Sequence, residues 1–138
     1  MPPDTGESAA ILKHSLDHMR LSITSGADSS VDFVRILGDV DLSDTEQLGL
    51  AARKLDGDNA SAVYVDLAGT TYMGSTLLGF LAHLGEDGNV RRPLVLCRPT
   101  RAARRMIHLT GLDEVAIVRP DLPRQWPANR EEAPDGLA

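Results

Sequence analysis

AVYVDLAGTTYMGSTLLGFL, residues 62–81, changes its period halfway along, and that change sets the fold class. Val63, Val65 and Leu67 alternate with Tyr64 and Asp66, the two-residue repeat of a strand. After the turn AGTT, Leu77, Leu81 and Leu84 recur at helical spacing with Phe80 beside them. A strand passing through a short turn into a helix is the repeating unit of a parallel sheet.

The same unit recurs on both sides. Upstream, Leu21 and Ile23 alternate with polar residues, SGADSS (25–30) supplies a turn, and VDFVRIL (31–37) is a β-branched and aromatic run. These predict an antiparallel hairpin over about 20–38, closed by Gly38. Ser43 and Glu46 match a capping box that opens a helix over about 44–55, with Gly57 as its C-terminal glycine. Downstream, PLVLC (93–97) is wholly apolar, the pattern of a strand buried on both faces. Pro99 and Thr100 start the helix RAARRMIHLT (101–110), which Gly111 ends in a left-handed turn with Leu112 packing back on Ile107 or Met106. VAIV (115–118) is the last strand. The predicted order is β-β-α-β-α-β-α-β over residues 20–119, an α/β domain whose mixed sheet is mostly parallel with an antiparallel hairpin at its N-terminal end.

Residues 1–19 read as a tail with a short amphipathic helix, because Ala9, Leu12, Leu16 and Met19 fall three and four apart. Residues 120–138 hold four of the eight prolines and no periodic apolar signal, so a disordered tail is expected. Trp126 stands alone there, as an exposed aromatic, a residue docked back on the domain, or a partner anchor.

Composition narrows the function. The 138 residues are 42% hydrophobic with few aromatics, so the core is aliphatic. A net charge of −6 argues against nucleic acid as the main partner, since phosphate neutralisation needs a basic surface. No apolar run approaches the ~18 residues that span a bilayer, so no membrane partner is expected. The single Cys97, inside an apolar run, suits a reducing compartment, and MPPDTGESAA carries no basic residue of a secretory signal; both point to the cytoplasm.

Three stretches, in order, carry a family resemblance: VRILGDVDLSDTEQL (34–48), AVYVDLAGTTYMGSTLLGFL (62–81) and PLVLCRPTRAARRMIHLTGLDEVAIV (93–118). Together they resemble the STAS family, named for sulphate transporters and anti-sigma factor antagonists. The resemblance implies a non-catalytic interaction switch without cofactors, whose partner is an anti-sigma factor of the serine kinase type. In stand-alone members the loop before the second helix reads D-S-S-G or D-S-T-G, and a hydroxyl there is phosphorylated by the partner. The unmodified domain binds that partner and frees the sigma factor; the phosphorylated one lets go. The matching residues are Gly74, Ser75, Thr76 and Leu77, so Ser75 and Thr76 are the candidate phosphosites, while Gly74 replaces the family's aspartate and Leu77 its glycine. By the same likeness Asp39, Asp41, Gly74, Ser75, Thr76, Leu77 and Leu78 form the partner surface, with Leu77 filling space the family keeps open.

The residues support other readings. Ser75 and Thr76 serve as plain helix caps in the simplest one. A STAS scaffold that is never phosphorylated, binding constitutively or through a small ligand, is the main alternative. Ser75 after Gly74, between strand and helix, faintly matches a nucleophile elbow, but the second glycine is missing and His83 or His108 shows no orienting carboxylate in sequence. His14 and His18 are spaced for a shared metal but have no third ligand nearby, and no metal site is expected. Asp39, Asp41 and Asp44 form an acidic strand–helix turn, read either as Asp41 bonding the backbone and Asp44 complementing the helix start or, more sharply, as a divalent-ion site. Six of the fourteen basic residues lie within 91–105, and Arg98, Arg101, Arg104 and Arg105 are a candidate patch for an acidic or phosphorylated partner.

Overall fold

A computed structural model describes residues 18–26, 30–87 and 92–127. Residues 9–17 of the expected helix, and with them His14, lie outside these; at its expected end His18 instead forms a bridge with Asp39 and Met19 is buried in the core. The hairpin is present: β1 (Arg20–Ser25) pairs antiparallel with β2 (Val31–Asp39), Ile23 opposite Val34 and Leu21 opposite Ile36. β2 runs one residue past Gly38, which has φ 86° and sits at a register shift, so the glycine bends the strand instead of ending it.

α1 (Thr45–Gly57) follows a single 3-10 turn, Leu42–Asp44. The capping box is not Ser43 with Glu46. Asp41 accepts from the Ser43 amide at 2.9 Å, and Asp44 accepts from the Asp41 amide at 2.9 Å. Two carboxylates thus satisfy the turn before the α-helix begins, and the Ser43 hydroxyl donates to Asp41. At the other end Gly57 stays helical and Asn59 takes the left-handed conformation at φ 56°.

β3 (Ala62–Asp66) pairs parallel with β2, Val65 opposite Val34. A short strand absent from the expected order, β4 (Thr70–Tyr72), then pairs β2 beyond β3, at Gly38 and Asp39. α2 (Ser75–Ala82), β5 (Leu94–Cys97), α3 (Arg101–Leu109) and β6 (Ile117–Arg119) complete the domain. The main sheet runs β1-β2-β3-β5-β6, parallel from β2 onward. Thr100 caps α3 by accepting from the Ala103 amide, and Gly111 is left-handed at φ 77° with Leu112 buried behind it, as the sequence predicts.

Val34, Ile36, Val63, Val65, Leu94 and Leu96 share one face of the sheet and pack with Leu48, Leu55, Leu77, Leu81 and Ile107 from all three helices. The other face carries Phe33, Arg35, Tyr64 and Asp66, and it too is covered. Trp126 packs edge-on against Phe33 at 5.0 Å and lies 5.3 Å from the Arg35 guanidinium, so it docks back on the domain. Asp66 is only 2% exposed. Cys97 is buried beside it, and burial, then the Asp66 charge, pushes the thiol up to about 11, leaving it protonated and unreactive.

At the far end of the sheet the buried Asp32 meets Asp58. Burial first, then a hydrogen bond to Asp58 and its charge, push the Asp32 carboxyl up to about 6, against smaller opposing effects of Ser25 and Lys54. A carboxyl raised in the fold stabilises it fully below the ordinary carboxylate range, and that stabilisation is lost as pH rises through 6. Asp32→Asn should therefore gain on the parent as pH rises from about 4 to about 7, by on the order of 2 kcal/mol at the upper end. Urea midpoints of both proteins at each pH measure this; a pH-independent difference would refute the assignment.

Candidate partner-binding site

The turns after β2 and β3 meet at one end of the sheet, and their hydrogen bonds fix them. Thr71 donates to the Asp39 carboxylate, tying β4 to the end of β2, and the Thr70 hydroxyl donates to the Ile36 carbonyl at 2.9 Å. Asp39 and Asp41, expected as partner contacts, are thus engaged in the turns themselves, though Asp41 remains exposed.

α2 starts just beyond. Gly74 is its N-cap in extended backbone and, having no side chain, supplies no cap bond. A Cβ at this position would lie 2.5 Å from the Tyr72 ring, which occupies the space a larger residue needs. Ser75 is exposed and Thr76 half-buried; among the described residues neither hydroxyl makes a hydrogen bond, so the capping reading does not hold. Leu77 is a correction: at 0% exposure it is part of the core, because its position on α2 faces the sheet, and it cannot contact a partner. Leu78 is half-buried.

Ser75 and Thr76 line a groove of about 600 Å³ between α1 and α2. Its walls are mainly apolar or small (Leu42, Leu48, Gly49, Ala52, Gly79 and Phe80), with Arg53, Asp56 and His83 toward the far end. Leu42, 80% exposed, stands at its lip. Sequence reasoning missed it, although an apolar residue inside an aspartate-rich turn was the available signal. Gly79 has nothing within 4 Å of a built Cβ. Gly79→Ala should raise stability by ~0.5–1 kcal/mol through helix propensity, read as a higher urea midpoint, while adding a methyl group to the groove.

His83 Nε2 lies 3.1 Å from Asp56, whose other oxygen accepts from the buried Arg92 at 3.1 Å. His108 likewise meets Asp113 at 3.1 Å. Each histidine therefore has the carboxylate that the sequence does not reveal. Neither completes a hydrolase triad: His83 follows Ser75 by eight residues, about 12 Å along a helix, far beyond hydrogen-bond reach. His108 lies on α3, lining a different groove.

The candidate basic patch divides. Arg98 leaves it, because its guanidinium donates to Asp66 at 3.1 and 2.6 Å on the second face of the sheet. Arg35 binds the same carboxylate at 3.0–3.1 Å, and the Ala68 amide completes its coordination. Arg98 adopts φ 53°, a left-handed conformation that costs on the order of 1 kcal/mol, offset by these charge-assisted bonds. Arg101, Arg104 and Arg105 stay exposed on α3. Among the described residues no group of three or more His, Cys, Asp or Glu could hold a metal ion, and no helix is long and apolar enough to cross a membrane.

The family model described as "Mlab, STAS domain" matches residues 23–120. No curated protein matches the chain. Among solved structures, an anti-sigma factor antagonist from Mycobacterium paratuberculosis superposes with a TM-score of 0.67 at 24% identity, over 88% of this chain and 95% of that one. The anti-sigma factor antagonist SpoIIAA of Bacillus, in its unphosphorylated form, gives 0.52 at 18% identity, over 86% and 95%. At these identities the likeness establishes the fold.

Proposed function

We propose, since the chain belongs to the STAS domain family, that it works as an anti-sigma factor antagonist: a non-catalytic, cytoplasmic module that binds an anti-sigma factor of the serine kinase type. The observation that carries this reading is Ser75, an exposed hydroxyl without a hydrogen bond among the described residues, at the start of α2 and on the wall of an apolar groove. The partner lies over Leu42, the groove and the exposed edge of the Asp41 turn, and phosphorylation of Ser75 or Thr76 releases it.

Helix physics suits the switch. The amides at the start of α2 favour negative charge, so a phosphate there leaves the domain folded. Its −1.5 to −2 charges act on the interface, which was shaped for a neutral hydroxyl. Incubation with the cognate kinase and ATP tests this: phosphate found on Ser75 or Thr76 by mass spectrometry, with loss of binding, supports it.

One feature favours a second reading, a STAS scaffold that is never phosphorylated and binds constitutively or through a small ligand. The Tyr72 ring fills the space beside Gly74, where the family's aspartate would stand next to the hydroxyl. Persistent binding without phosphate uptake selects this reading. Labelling of Ser75 by a serine-reactive probe would instead revive a hydrolase.

A further inference from the structure

α3 turns three arginines toward the outer edge of the sheet. Arg101, Arg104 and Arg105 are exposed and, among the described residues, have no ion pair. They rim a groove of about 860 Å³ whose floor is apolar, with Ile107, Ala116, Ile117 and Val118. Its neighbouring acid, Asp113, is already matched to His108. A concentrated positive field thus stands on a chain of net charge −6.

The groove runs beside an open strand edge. Among the described residues β6 pairs only with β5. The Arg119 carbonyl accepts from the Arg98 amide at 2.8 Å, so Arg119 and Ile117 direct their backbone groups to β5 and Val118 directs its amide and carbonyl outward. Ile117 is 49% exposed and Leu109, at the end of α3, 64%.

We propose that this edge is a second docking site, independent of the α1–α2 groove, for an acidic, extended segment of another protein that adds a strand beside β6. Charge complementarity names the occupant: carboxylates pair with the three arginines, bidentately where geometry permits, and alternate apolar side chains cover Ile117 and the groove floor. Phosphate-rich nucleic acid suits the site less, because its charge is repelled by the rest of an acidic chain and the floor offers no aromatic for stacking. β6 is three residues long and Pro120 cannot donate, so the ladder is short. Affinity then rests on the arginines and falls with salt.

The probes are a peptide of alternating glutamate and valine and its lysine counterpart, titrated into the 15N-labelled full chain at low salt. The glutamate peptide is expected to shift the amides of Ala116, Ile117, Val118 and Arg119. The double variant Arg101→Glu/Arg105→Glu should bind it at least ~10-fold more weakly, with Trp126 fluorescence unchanged as proof of folding. Absence of binding, equal binding of the lysine peptide, or shifts confined to other surfaces would overturn the proposal. So would tighter binding of an oligouridylate, which would make the edge a nucleic-acid surface. Concentration-dependent broadening of Val118 without peptide would also overturn it, assigning the edge to a second copy of the chain.

Discussion

Asp66→Ala should lower the unfolding free energy by ~3–5 kcal/mol, a large share of the 5–15 kcal/mol typical of a domain. The carboxylate is 2% exposed and accepts from Arg35, Arg98 and the Ala68 amide. Its loss takes the Asp66 carboxylate away from the Arg35 guanidinium, which lies buried beneath Trp126, and removes the bonds that offset the left-handed backbone of Arg98. Arg35→Met should cost less, because Asp66 keeps Arg98 and the amide while the methionine stem still packs on Trp126. Urea unfolding followed by Trp126 fluorescence measures both. A loss below ~1 kcal/mol for Asp66→Ala would mean that the network is not desolvated in solution.

Ser75→Glu should weaken binding of the anti-sigma factor by one to three orders of magnitude. A charge brought into an interface complementary to a hydroxyl costs roughly 2–5 kcal/mol, and each 1.4 kcal/mol is tenfold. The fold should hold or gain a few tenths of a kcal/mol, because the new carboxylate sits in the first turn of α2. Ser75→Ala should bind like the parent. Calorimetry with the purified partner compares the three, and equal affinity of Ser75→Glu and parent would remove Ser75 from the interface.

Both expectations concern residues that the linear chain identifies unevenly. Ser75 and Thr76 are legible because a strand, a turn and a helix start are local patterns, and their place in the α1–α2 groove follows from the parallel crossovers of β2, β3 and β5. Leu77 is less so. Helical spacing puts it on the core stripe with Leu81 and Leu84, whereas family likeness puts it at the partner surface; burial decides for the stripe. The capping turn shows the opposite limit. Ser43 with Glu46 and Asp41 with Asp44 satisfy the same spacing rule, and the 3-10 turn selects the aspartates.

The chain alone determined the alternation of strands and helices, the hairpin, the left-handed Gly111 and the inward set Val63, Val65 and Leu67, since each depends on neighbours a few residues away. Period two places Tyr64 and Asp66 on the second face but does not say whether that face is wet. Only the tertiary structure decided that, by bringing Trp126 against Phe33 and Arg35 and Arg98 against Asp66 across 31 or more residues. It likewise split the arginines between a buried ion network and an open edge. Such meetings depend on how distant segments pack, and no local periodicity encodes them.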